Sequence, residues 1–341
     1  MTPVPLSVLE LAPAARDATA TDALNNTTEL AKRVEELGFR RIWVAEHHNM
    51  PSIASSSPAV LIAHLAASTS TIRVGSGGVM LPNHAPLVVA EQFGTLEALH
   101  PGRIDLGVGR APGTDQRTAL ALRRTTAGLS AEGFPQELRD LIGYFQGDND
   151  LIDAVPAKGN EPDIWLLGSS GFSAQLAGML GLPFSFAHHF SSANTVPALE
   201  LYRAHFKPSQ WLSEPYAKVA VNVVCADTDE RAHWLAGPSA LAFLKLRTGG
   251  RPEALVPPEE AAAYPYSDLE RAFVEDRWRD QAVGSPETVT RQLTDLLAKT
   301  GADELMLTTM VYDLADRVRS FELVTEKVAP LLTRQVDGTR P

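Results

Sequence analysis

Where this sequence leaves its β-branched runs, it places arginine, histidine, serine and glycine, residue types suited to holding an anion and handling a proton. Gly168-Ser169-Ser170-Gly171 follows one such run. Its glycines let backbone come close to a ligand, its serines can cap the next helix, and free amides at a helix start favour a phosphate. A plain capping turn and a phosphate cradle are both open readings. Arg110 follows Gly107-Val108-Gly109. Its guanidinium can grip a second phosphate edge in bidentate fashion or pair with Asp115. Ser76-Gly77-Gly78 ends a third run. Paired glycines there permit close approach of a flat ligand or an unusual peptide geometry, or else form a barrel-corner bulge.

The histidine pairs His47-His48 and His188-His189 invite a metal test. Neighbours on a strand point to opposite faces, so only one of each pair can face the same interior. In the first pair the parity puts Trp43, Ala45 and His47 inward, and Ile42, Val44, Glu46 and His48 outward. No His-x-His occurs, which argues against a binuclear hydrolase centre. A single inward histidine, His47, serving as proton donor, acceptor or ligand contact is the more economical reading.

Charge distribution bears on the same question. The chain has 41 acidic and 30 basic residues and a net charge of −11, a balance that argues against nucleic acid or an anionic membrane as the main partner. Yet no Asp or Glu lies between His47 and Ala90, or between Ile164 and Leu199, where an even spread would put about four or five in each. Either these stretches are simply buried, or an anionic ligand lies among them. The single cysteine, Cys225, excludes an intrachain disulfide. The first basic residue is Arg16 and no long apolar run occurs, so neither a secretory leader nor a membrane span is expected, and a cytoplasmic location is.

Stepping from these residues to the elements that must carry them, strands are expected over 6–11, 42–45, 72–81, 104–108, 164–167, 184–187, 219–226 and 304–309. Helical patterns over 27–37, 59–67, 86–99, 172–180, 196–206, 285–297 and 314–331 alternate with them. Two further helical patterns, 118–129 and 135–145, interrupt this alternation. Eight strand–helix units match a single (β/α)8 barrel better than a doubly wound sheet, and barrel chemistry sits at the C-terminal strand ends. The whole chain 1–341 reads as one domain with insertions at about 111–160 and 227–282, the second a lid or dimer-contact segment.

Several of these runs resemble one known family. Arg41-Ile42-Trp43-Val44-Ala45-Glu46-His47-His48 is similar to the second strand of the bacterial luciferase-like, flavin-dependent monooxygenases. Val74-Gly75-Ser76-Gly77-Gly78-Val79-Met80-Leu81-Pro82, Pro101-Gly102-Arg103-Ile104-Asp105-Leu106-Gly107-Val108-Gly109-Arg110 and Val283-Gly284-Ser285-Pro286-Glu287 resemble later parts of the same family. The resemblance implies a (β/α)8 (TIM) barrel that binds FMN or, in one branch, F420. It implies a monooxygenase that takes reduced FMN from a separate NAD(P)H:flavin reductase and uses O2 to oxygenate a small organic substrate. An F420- or FMN-dependent dehydrogenase acting by hydride transfer, and a flavin-binding protein without turnover, are the alternatives.

Carried over by position, Gly77-Gly78 would form a non-proline cis peptide against the flavin ring, beside Ser76. Arg110 and Ser169, with Gly168, Ser170 and Gly171, would hold the phosphate, and His47 would handle protons near the flavin. A homodimer is also implied. Gly109 stands where the luciferase subunit has a reactive cysteine, and His188-His189 where it has a tryptophan-bearing strand end, so luminescence is not expected.

Overall fold

The structure, a computed structural model, describes residues 2–111, 115–123, 132–148, 151–250 and 252–334. Its centre is a closed barrel of eight parallel strands: β1 Leu6–Glu10, β2 Arg41–Val44, β3 Arg73–Ser76, β4 Ile104–Gly109, β5 Asp163–Gly168, β6 Phe184–Ala187, β7 Ala217–Cys225 and β8 Glu304–Thr308. Each strand pairs with its neighbours in order, and β8 closes the ring on β1. Helices α1 Ala20–Glu36, α2 Pro58–Ser68, α3 Pro86–Leu99, α4 Phe134–Gln146, α5 Gly171–Leu180 and α6 Thr195–His205 connect the first seven strands. Helices α7 Asp229–Arg247 and α8 Asp268–Arg279 fill the second insertion, before α9 Pro286–Thr300 and α10 Leu314–Leu323.

Strand alternation divides the core in two. Val8, Ile42, Val44, Val74, Leu106 and Val108 point outward and bury against the helix ring, a single continuous apolar layer. Leu9, Trp43, Ala45, Trp165, Ala220 and Met306 point inward and pack within the barrel. The barrel interior is therefore filled with side chains, and a ligand space opens only toward its C-terminal end.

Three expectations shift in detail. The strand expected over 72–81 is broken: β3 stops at Ser76, and Val79–Met80 resumes beside β4 after the two glycines. The first helix starts at Ala20 rather than 27, because Thr19 and Asp22 form a reciprocal capping box ahead of the apolar pattern. The closing helix does not run to 331 as one α-helix; it relaxes into a π-turn over Val324–Val328 before Pro330, which has no N–H to continue the ladder. Part of the first insertion, including 124–129 of the helix expected there, lies outside the described residues. Among the described residues no helix is long and apolar enough to cross a membrane.

Candidate functional site

A cavity of about 250 Å³ opens at the C-terminal end of the barrel. Its wall takes His47 from beyond β2, Gly77, Gly78 and Met80 from beyond β3, Gly109 and Arg110 from β4, and the segments around Leu167–Ser170 and Ala187–Phe190 from β5 and β6. No carboxylate lines it among the described residues, and Arg110 is its one formal cation. The two acid-free stretches of the sequence thus converge on one space, whose described lining holds a cation and no carboxylate inside a molecule of net charge −11.

The β5–α5 junction has the features of an anion cradle. Ser170 occupies the N-cap of α5 with extended backbone but makes no capping hydrogen bond. The hydroxyls of Ser169 and Ser170 therefore remain available beside the open amides of the first helical turn. Gly168 is required by packing, since a Cβ there would stand 2.6 Å from Ser173 Cβ. Arg110 reaches this junction from β4: its guanidinium carbon lies 4.4 Å over the Phe172 ring on α5. Asp115, the alternative partner weighed from sequence, instead accepts from Asn49 Nδ2 at 2.9 Å and from Thr118.

The Gly77–Gly78 peptide is cis, as the resemblance implies. Neither residue can carry a side chain without moving its surroundings. A Cβ on Gly77 would meet Leu9 Cδ1 at 2.5 Å, and one on Gly78 would meet the Gly107 carbonyl oxygen at 2.8 Å. The bare backbone of this pair forms one wall of the cavity. Ser76, in contrast, is fully buried beneath it and exchanges hydrogen bonds with Gly107, donating to its carbonyl at 2.9 Å and accepting from its amide at 3.0 Å. Ser76 thus joins β3 to β4 and stays out of the wall, and Gly171 also stands outside it, one residue beyond Ser170.

The histidine parity is resolved as the strand geometry requires. His47 is half-buried in the wall, while His48 turns outward and bonds Glu46 at 2.9 Å. Glu46 is fully buried and also receives His84 at 2.9 Å and the Met80 amide at 2.9 Å. Burial pushes its pKa up, but these hydrogen bonds and the charge of His84 hold it below the usual carboxylate value. Glu46 therefore ties the loop carrying Met80 to the end of β2.

In the second pair, His188 bonds Thr195 and the Asp280 carbonyl, away from the cavity, and His189 lines it. His189 Nδ1 donates to the Ala220 carbonyl at 3.1 Å, leaving Nε2 as an acceptor. Burial drives its pKa down to about 4 against that hydrogen bond, with Arg277 adding to the depression, so the ring is neutral near pH 7.

The floor of the cavity rests on a buried ionic layer that sequence reasoning missed. Asp105 on β4 accepts from Arg41 Nη1 (2.7 Å), Trp43 Nε1 (2.8 Å) and Arg73 Nε (2.8 Å). Trp43, which lines the cavity, meets Trp165 edge to face at 5.4 Å. Beneath them the Lys218 ammonium lies 3.3 Å from the Trp43 ring centre and 3.6 Å from Glu304. Burial lowers the Lys218 pKa well below the usual lysine value despite Glu304. The signal available in sequence was a charged or aromatic residue at inward positions near strand starts: Arg41, Trp43, Asp105, Lys218 and Glu304.

Comparison with known proteins agrees with this geometry. The chain is 45% identical over 331 residues to a luciferase-like monooxygenase of Escherichia coli K12, covering 96% of this chain and 98% of the relative. It is 35% identical over 333 residues to the N-acetyl-S-alkylcysteine monooxygenase of Bacillus subtilis, covering 95% and 98%. The crystal structure of apo-MsnO8 superposes with a TM-score of 0.89 at 39% identity, over 97% of this chain and 100% of that one. The sequence profile of the luciferase-like monooxygenases matches residues 6–304. A closed barrel, a cis glycine pair at its mouth and that match lead to one conclusion: the chain belongs to the luciferase-like monooxygenase family.

Proposed function

We propose that this member of the family is an FMN-dependent monooxygenase, acting on a small organic substrate with O2 and with reduced FMN delivered by a separate NAD(P)H:flavin reductase. The observation that carries the reading is the joining of Arg110 to the unspent donors of the Ser169–Ser170 junction within a cavity free of carboxylates. A flavin mononucleotide fits these residues. Its dianionic phosphate suits one guanidinium, two hydroxyls and open helix amides, and its flat ring suits the side-chain-free wall of Gly77–Gly78. The apolar floor of Leu9, Trp43 and Met306 suits the ring's other contacts.

When bound, reduced flavin supplies the electrons that activate O2 for oxygen transfer. The protein's part is orientation, proton handling and exclusion of water. Arg110, Ser169 and Ser170 would hold the phosphate and so fix the ring's position. His189 stays neutral and presents Nε2 as a hydrogen-bond acceptor. His47, on the same wall, is the candidate group for proton transfer to or from the reacting molecule. Helices α7 and α8 of the second insertion meet the cavity wall through Phe243, 6.4 Å from the Phe190 ring, and Arg277, which donates to the His189 carbonyl, where they would limit water entry.

The test is turnover with FMN, NAD(P)H and a flavin reductase under ¹⁸O2, across a substrate panel. The reading expects one ¹⁸O atom per product molecule. Product without label, or activity only with F420, would replace it with hydride transfer.

A further inference from the structure

A second cavity of about 560 Å³ adjoins the first and shares His189 and Phe190 with it. Three arginines of the second insertion border it, Arg247, Arg277 and Arg279, and the first two meet on one ring. The Arg277 guanidinium lies 3.6 Å over the Phe243 ring, and that of Arg247 lies 5.0 Å from the same ring. Phe273 stacks on Phe243 at 6.1 Å, extending the aromatic surface.

Neither guanidinium forms an ion pair with a described residue; the one hydrogen bond of Arg277 goes to the His189 carbonyl at 3.4 Å. The acids in the same cavity are committed elsewhere. Asp276 pairs with Arg279 at 2.7 Å, and the Asp280 carboxylate accepts from the Ser192 hydroxyl at 2.6 Å. His188 is bonded through both ring nitrogens, and Gln281 Oε1 accepts from the Asn222 amide. Two cations thus share one aromatic platform without a counterion among the described residues. Burial, and then the neighbouring Arg247, push the Arg277 pKa down to about 10, so Arg277 remains charged near pH 7.

We propose that Arg247 and Arg277 form the subsite for a carboxylate on the substrate, whose apolar body crosses Phe190 and Phe243 toward the inner cavity. The protein then acts on small apolar acids, and its specificity lies in the second insertion rather than in the barrel. A carboxylate between the two guanidiniums would relieve their repulsion. This rests on the flavin reading only in that the inner cavity, with Arg110, takes the FMN phosphate.

The experiment measures binding and needs no turnover. 8-Anilinonaphthalene-1-sulfonate serves as the fluorescent probe, displaced by octanoate or by octanamide, with and without saturating FMN. Octanoate is expected to displace the probe roughly tenfold or more better than octanamide, the scale of a charged hydrogen bond. Arg247→Gln and Arg277→Gln should each remove most of that preference while FMN affinity, titrated separately, stays within about twofold. Arg247 is exposed, so its variant keeps the test valid if Arg277→Gln folds poorly. Equal displacement by acid and amide, or a preference unchanged in both variants, would overturn the proposal. A loss of FMN affinity in place of octanoate affinity would also overturn it, by making the pair a flavin phosphate site. Failure of FMN to bind at all would strike the flavin reading while leaving the octanoate preference measurable in the free protein.

Discussion

The Arg110 guanidinium stacks on Phe172 at 4.4 Å, joining the end of β4 to the first turn of α5. That contact brings together two features far apart in sequence, the β4 arginine and the β5 serines, at the proposed phosphate site. Arg110→Ala should weaken FMN binding by about 1 to 3 kcal/mol, the scale of a lost charged hydrogen bond. Phe172→Leu should cost about 0.5 to 1 kcal/mol in the same titration, through looser positioning of the arginine. Flavin fluorescence quenching measures both, and unchanged affinity in Arg110→Ala would remove its phosphate role.

The barrel interior makes a stability prediction. Asp105 is fully buried and serves Arg41, Arg73 and Trp43 at once. Asp105→Asn leaves those guanidiniums without their shared counterion, and breaking such a buried pair typically costs about 3 to 5 kcal/mol. Urea denaturation should report that loss, and near-UV circular dichroism should report a loosened Trp43. A variant as stable as the parent would mean that the layer is solvated or rearranged.

Glycine positions at the mouth should differ in tolerance. A Cβ on Gly107 would overlap the Ser76 carbonyl oxygen, which is backbone and cannot swing aside. A Cβ on Gly109 would meet Met80 Sδ at 3.0 Å, on a flexible side chain. Gly107→Ala should therefore destabilise by about 1 to 3 kcal/mol or more, and Gly109→Ala by clearly less. Thermal melts of the pair decide the order.

Acid sensitivity follows from His189. The unfolded histidine titrates near 6.5 and the folded one near 4. Between those values the unfolded chain binds a proton that the native state refuses. The contribution is fully present above pH 6.5 and is lost as pH falls toward 4. His188 is shifted in the same direction by burial, so it adds to the slope. In His189→Gln, stability should fall less steeply across this window, read from denaturation midpoints at stepped pH. An identical slope would mean that His189 is protonated in the native state.

Much of this architecture could be read from residue order. The eight strands, the inward set Trp43, Ala45 and His47, and the acid-free lining all follow from alternation and from where Asp and Glu are missing. The glycine pair pointed to an unusual peptide at Gly77–Gly78, but the apolar pattern of Val74, Val79 and Leu81 carried the expected strand across the break. Nor could it tell that the Ser76 hydroxyl would be spent on Gly107, since that depends on how closely β3 and β4 approach. The ionic layer was hidden for a related reason. Arg41, Asp105, Lys218 and Glu304 lie on four different strands and meet only when the barrel closes. The arginine pair Arg247 and Arg277 is likewise a product of packing between α7 and α8.

The account turns on where the flavin phosphate sits, and a crystal structure with FMN bound measures that directly. The phosphate is expected within hydrogen-bond reach of Arg110, Ser169 and Ser170, with the ring against the Gly77–Gly78 peptide and His189 Nε2 facing the reacting side. A phosphate held by Arg247 and Arg277, or a ring away from the glycine pair, would contradict it.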